Sequence, residues 1–298
     1  MSSRNPSIVT AKKDSSVKAR MTAKKVLIYV VCIFLALLGI VPFYILIINS
    51  TRSQNQLMTG FSLLPSVSFK HNYDYLVETI KASTFISAFF NSFIIATATT
   101  VFSVYFSSLT AYALVVYNFR LKRAAFTFIM IVLMIPSQVS IVGFINFVMS
   151  LNMYDTFWPL ILPSIAAPAT VFFMRQFMLS GLPLEIVEAA RIDGASEFGI
   201  FNRIALPILK PAIATQAIFA FTASWNNLFT PSMLLNSTEN YTMPMIVQML
   251  RVSDNLLTKG AAGSQYIGLL ITIIPMLVVY LLLSKYIIRG VALGGVKE

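Results

Sequence analysis

Long apolar runs separated by short polar breaks give the chain its rhythm. Six runs stand out, over residues 26–48, 89–117, 124–149, 157–178, 212–235 and 267–288. A helix rising about 1.5 Å per residue needs about 20 mostly apolar residues to cross the hydrocarbon core of a bilayer, and each run reaches that length. Lipid offers no partner to an exposed peptide group, so runs of this kind close their hydrogen bonds internally as helices and not as open strands. The pattern predicts an all-α membrane protein with six transmembrane helices. Pro42, Pro136, Pro163, Pro168 and Pro275 fall inside the runs. Each removes a backbone donor, and "MIPSQ" at residues 134–138 is the break most strongly expected.

Composition agrees with this reading. Mean hydropathy is +0.78 and 11% of the 298 residues are charged, too few to cover the surface of a water-soluble globule. The 22 Lys and Arg exceed the 11 Asp and Glu, and their positions explain the excess. Alternate connections divide the basic residues into 17 on one side of the membrane and five on the other. The positive-inside rule puts the richer side, with both termini, in the cytoplasm. The charge is then spent on topology, and no nucleic-acid partner is called for. One cysteine, Cys32, and one histidine, His71, supply neither a disulfide nor a metal site. No Gly-x-x-x-x-Gly-Lys-Ser/Thr phosphate loop occurs, so the chain is not expected to bind ATP by that route, and nothing marks it as an enzyme.

The chain divides into a basic tail (1–25), a first transmembrane helix (26–48), an external loop with short amphipathic pieces (49–87), a core with the other five helices (88–288) and a C-terminal tail (289–298). The first tail is Ser and Lys rich and is expected to be mobile or to lie on anionic headgroups.

Between the fourth and fifth runs lies a polar island over residues 180–207, which holds four of the 11 acids: Glu185, Glu188, Asp193 and Glu197. Pro183 suits a first helical turn, with Ser180 as a cap for it or for the turn before. Leu184, Val187 and Ala190 share one face, while Glu185, Glu188 and Arg191 share another. Asp193 and Gly194 end this helix, because Gly accepts the left-handed conformation without steric cost. Ser196 restarts a second helix with Phe198, Phe201, Ile204 and Ala205 as its apolar stripe, and Pro207 ends it. The two short helices are expected to form a compact knob of a kind that could sit in a socket.

Glu188, Ala189, Ala190, then Gly194 after three residues, then Ile204, Leu206 and Pro207 after nine more, resemble the EAA loop of permease subunits of ATP-binding-cassette importers. "MRQFMLSGLPLEIVEAARIDGAS", "SWNNLFTP" and the terminal "KYIIRGVALGGVKE" are similar to the carbohydrate branch and its maltose-type second permease. The resemblance implies a type I importer fold with a cytoplasmic coupling-helix loop between spans 4 and 5. It implies a second homologous permease, two cytoplasmic ATPases that hold the ATP and Mg, an external sugar-binding protein and a lipid bilayer around the chain. The residues it assigns to ATPase coupling are Glu188, Ala189, Ala190, Arg191, Asp193, Gly194, Ser196, Ile204, Leu206 and Pro207.

A sugar path needs hydroxyl partners and flat faces at membrane depth, where polar groups are costly unless they face a cavity or another helix. Ser224, Trp225, Asn226 and Asn227 in the fifth run, with Gln138 beside Pro136, are the candidates. The same asparagines could instead hydrogen-bond between helices. The hydroxyl row Ser92, Thr97, Thr99, Thr100, Ser107 and Ser108 is more in keeping with helix packing. Two alternatives stay open: the same kind of permease carrying a polyol, glycerol phosphate or small peptide, and a membrane channel or scaffold with a protein-docking loop.

Overall fold

The computed structural model describes residues 6–136, 138–253 and 262–294, with side chains over 25–136, 138–250 and 262–286. It is helical throughout, with no strand among the described residues. In chain order the helices are α1 (Pro6–Ser50), α2 (Gln54–Met58), α3 (Phe69–Thr79), α4 (Ala82–Val116), α5 (Lys122–Leu133), α6 (Ile141–Ser150), α7 (Trp158–Ile161) and α8 (Pro168–Gly181). There follow α9 (Leu184–Ile192), α10 (Glu197–Ile200), α11 (Leu206–Ile208), α12 (Lys210–Trp225), α13 (Phe229–Leu234), α14 (Met243–Ser253) and α15 (Ala262–Gly294).

Four stretches are each long and apolar enough to cross a membrane: Lys25–Ser50, Ala82–Val116, Trp158–Gly181 and Ala262–Tyr286. Glu197–Ile208 and Lys210–Trp225 reach that length and apolarity only when taken together across an 81° bend. This differs from six uninterrupted spans, and the differences fall at named residues. The run over 124–149 is split into α5 and α6 around Pro136, and neither half reaches 18 residues. The run over 212–235 stops at Trp225 and resumes at Phe229, so the break falls on the asparagines. A hydropathy sum is blind to where the hydrogen-bond ladder stops; a missing donor at proline and competing asparagine side chains decide that.

In the basic tail, α1 is already helical from Pro6 and runs on into the first span. Residues 1–5 and the end of the C-terminal tail, 295–298, lie outside the described residues. The stretch between the first two spans carries α2 and α3. The Arg52 side chain, buried there, donates to the backbone carbonyls of Gln56 and Gly60 and to the side-chain oxygen of Asn49. Asn72 donates to the carbonyls of Ser50 and Arg52, pinning α3 to the end of α1.

α4 is the spine. It lies against α8 and α12, and α15 packs on α12 and α1. Small hydroxyl residues allow the close approach: Ser103 and Thr170 are 3.2 Å apart between α4 and α8, and the Ser92 hydroxyl accepts from the Met243 amide at 2.8 Å. Ser108 and Thr100 return their hydrogens to the carbonyls of Val104 and Ala96. Two apolar clusters result. One joins α4, α8 and the polar island through Tyr112, Met174, Met178, Val187, Ile200 and Phe201. The other joins α3, α4, α12, α14 and α15 around Phe221, Trp225, Ile246 and Leu250.

Candidate functional site: the corner and the cleft

The polar island is a corner closed from both sides. α9 ends at Asp193, and Gly194 follows with φ +79°. The Gly194 amide donates to the Arg191 carbonyl and the Ala195 amide to the Ala190 carbonyl, each at 3.0 Å. This paired pattern satisfies carbonyls that a helix end otherwise leaves open, and it requires a left-handed residue where Gly194 stands. Ser196 then caps α10 by accepting from the Gly199 amide at 3.2 Å.

A side-chain clamp spans the corner. Arg191 meets Glu197 through two hydrogen bonds, Nε to Oε1 at 2.7 Å and an Nη to Oε2 at 3.2 Å. Tyr117, the residue that ends α4, donates its hydroxyl to Glu197 Oε2 at 2.5 Å and lies under the Arg191 guanidinium, 5.4 Å from its ring centre. The Arg191 hydrogen bonds, followed by that of Tyr117, hold the Glu197 carboxyl below its usual range. Arg191 therefore faces Glu197 and Tyr117 instead of standing in a row with Glu185 and Glu188.

Below α10 the helix widens. Residues Phe201–Ala205 form a π-turn, and the Leu206 amide reaches back five residues to Phe201. Pro207 explains it: lacking an N–H and clashing with the carbonyl four residues earlier, proline is tolerated when the preceding turn opens. Pro207 therefore does not end the helix, which continues to Ile208 and bends at Leu209 into α12, whose first turn contains Pro211.

The island's inner face is apolar and buried. Val187, Ala190, Ile200, Phe201 and Ala205 pack on Met174, Met178 and Tyr112, and the Tyr105 hydroxyl donates to Asn202 at 3.2 Å. Leu184 stands more exposed than its helical spacing suggests, and Pro183 is the N-cap of α9 and not its first turn. Ser180 donates back to the Phe177 carbonyl, within α8. Phe198, expected on the buried stripe, is 63% exposed, while Ile200, not expected there, is fully buried. On the outward side Glu185, Glu188 and Ala189 are joined by Ile192, which is 87% exposed. Ile192 and Phe198 are thus two large apolar side chains offered to solvent on either side of the glycine, a feature the spacing alone did not disclose.

The second group of candidates separates. The Trp225 indole is buried, with 1% of the residue exposed; it stacks on Phe221 at 5.7 Å, meets Phe89 edge-on and donates to the Thr272 carbonyl at 3.0 Å. This placement makes it a packing element and withdraws it from any solute surface in this conformation. Asn226 is exposed and reaches Met276 Sδ at 3.6 Å, and Ser224 is half-buried. Asn227 lines a cleft of about 620 Å³ with Thr230, Ser140, Phe144, Pro163 and Ala167. Gln138 is exposed in the α5–α6 break beside this cleft's wall at Ile135 and Ser140. Among the adjacent Trp225, Asn226 and Asn227, only Asn227 lines this cleft.

A bundle of membrane-crossing helices carrying such a corner defines a class of importer subunit. Residues 103–292 match the model of the binding-protein-dependent transport system inner membrane component, and the chain belongs to that family. It is a multi-pass membrane protein and a permease subunit of an ATP-binding-cassette importer. Among its relatives are the arabinooligosaccharides transport system permease proteins AraQ of Bacillus subtilis (strain 168), 34% identical over 88% of this chain and 92% of that one, and of Halalkalibacterium halodurans, 36% identical over 89% and 93%. The sn-glycerol-3-phosphate transport system permease protein UgpE of Yersinia enterocolitica is 30% identical over 88% and 94%. A bacterial ABC transporter involved in the import of the acidic polysaccharide alginate shares the fold, with a TM-score of 0.72, 22% identity and coverage of 89% of this chain and 97% of that one.

Proposed function

We propose that this chain carries a sugar or oligosaccharide across the membrane as one half of a permease pair, driven by ATP hydrolysed on separate cytoplasmic subunits. An external binding protein delivers the solute, the ATPases hold ATP and Mg, and both termini face the cytoplasm with the corner. The observation that carries the reading is the corner's division of labour. Its inner face is buried against α4 and α8, while Glu185, Glu188, Ile192 and Phe198 stand outward around a left-handed glycine turn. An apolar pair rimmed by charge is the composition of a protein-docking patch. Movement of a socket seated on it passes through Met174 and Met178 into α8 and through Phe201 into α4. The cleft with Asn227 and Thr230 supplies the polar edge for a solute.

The names of the arabinooligosaccharide relatives favour a sugar; that of the glycerol-phosphate relative supports a second reading, a phosphorylated polyol. The test is to copurify the importer in mild detergent, reconstitute it with its ATPases and binding protein, and measure uptake of an arabinooligosaccharide against glycerol 3-phosphate. ATP-dependent uptake of the first alone supports the proposal, uptake of the second alone selects the alternative, and accumulation by this subunit without a nucleotide-hydrolysing partner refutes the coupling.

A further inference from the structure

Where α4 ends, α5 begins and α8 runs toward the corner, the chain gathers Arg120, Lys122, Arg123 and Arg175 around one pocket of about 340 Å³. Its other walls include the rings of Phe119 and Phe126. No carboxylate lines it, and among the described residues none of the four cations forms an ion pair. Lys122 gives one hydrogen to the Val115 carbonyl at 3.2 Å. Arg175 is half-buried with its guanidinium over the Phe126 ring, 4.1 Å from the centre, and its Nε is sealed from solvent without a hydrogen-bond partner.

Converging cations of this density repel one another, and a buried unpaired N–H is costly. Both are relieved by one dianionic or monoanionic group with several acceptor oxygens, and a guanidinium fork matches a phosphate in particular. We propose that this pocket binds the phosphate headgroup of an anionic phospholipid. Its position selects a lipid over a soluble anion. The pocket lies at the ends of membrane-crossing helices on the side of the corner, since Tyr117, three residues before Arg120, touches Glu197. The aromatic walls, with Leu121 and Phe128 exposed beside them, offer an apolar flank on which acyl chains can lie. Basic pockets between membrane helices on the cytoplasmic side have this preference. The occupant would also brace the corner, because Arg175 sits between Met174 and Met178 on α8 and both pack under Val187 and Ala190.

The proposal rests on the chain's membrane placement and not on the sugar reading. To test it, the assembled importer is titrated with phosphatidylglycerol or phosphatidylcholine in detergent and its bound lipid counted by native mass spectrometry. The wild type should retain phosphatidylglycerol preferentially. Arg175→Gln should weaken that retention about tenfold, as loss of a charge-assisted hydrogen bond does, and Arg175→Lys should restore part of it. Should Arg175→Gln fail to assemble, the exposed pair Arg120→Gln and Arg123→Gln carries the same expectation. Equal retention by wild type and assembled variants overturns the site. Displacement of the lipid by inorganic phosphate overturns the choice of a lipid, and loss of ATPase subunits in the variants with lipid retention unchanged assigns the cations to a protein surface instead.

Discussion

Replacing Gly194 isolates the corner's backbone from everything around it. The Cβ of an alanine at position 194 would meet nothing within 4 Å, so within this chain alanine differs from glycine there through the φ of +79° and not through a clash. An L-residue held in the left-handed region costs about 1–2 kcal/mol. Abandoning that conformation forfeits the two 3.0 Å hydrogen bonds that close the corner, at about 1 kcal/mol each, and misaligns the exposed Arg191–Glu197 pair, at about 0–1 kcal/mol. Gly194→Ala should therefore keep the corner but under strain, with the opened form enriched about tenfold, whereas Gly194→Val, β-branched, should shift further toward it. Gly194→Asn should lie near the wild type because asparagine tolerates left-handed backbone. Hydrogen exchange at the Gly194 and Ala195 amides reads the opening, and ATPase copurification with ATP-driven uptake reads its consequence. Equal protection across Gly, Asn, Ala and Val would refute the reasoning, since the alanine Cβ meets no neighbour and leaves φ as what separates it from glycine.

Three further outcomes are expected. Asp155, itself at φ +60°, holds the turn at residues 236–240 by accepting from the Ser237 hydroxyl, the amides of Asn236 and Ser237 and the Asn240 side chain; the Ser237 hydrogen bond leads in holding its carboxyl down at about 2. A depressed native pKa stabilises above the unfolded value of about 3.9 and the contribution fades as pH falls toward about 2, so Asp155→Asn should melt below the wild type at about pH 6 and converge with it in acid; a pH-independent gap in thermal unfolding would contradict this. Trp225→Ala should lower the melting temperature by the loss of a fully packed ring, about 3–5 kcal/mol, while Asn227→Ala should leave it within about 1 kcal/mol and alter uptake; the reverse pattern would exchange their roles. Gly263→Ala should loosen α15 from α3, because the added methyl would overlap the Asn72 carboxamide, and faster proteolysis between the two helices checks it.

The corner was the most legible part of the chain because its chemistry is local. Glycine after a helix and serine before the next specify caps with partners only a few residues away, and Gly194 and Ser196 occupy those places. Phe198 and Ile200 were not legible, since the π-turn ahead of Pro207 shifts the phase that a regular period of 3.6 assumes. The helix breaks were legible in part. Pro136 signals its interruption, but the one at residues 226–228 arises from the same polar residues that composition offers as solute contacts. Trp225 shows the wider difficulty: a large amphipathic ring at membrane depth serves equally as core or as binding surface, and only the packing of Phe89, Phe221 and Thr272 around it distinguishes the two.

The 81° elbow at Leu209 also governs the direction of any transmitted force. With its two arms almost at right angles, hardly any shift along the lower arm reaches α12 as a slide along its own axis. What arrives is a tilt. A short thrust along the lower arm would thus be turned into a swing of α12 about Leu209.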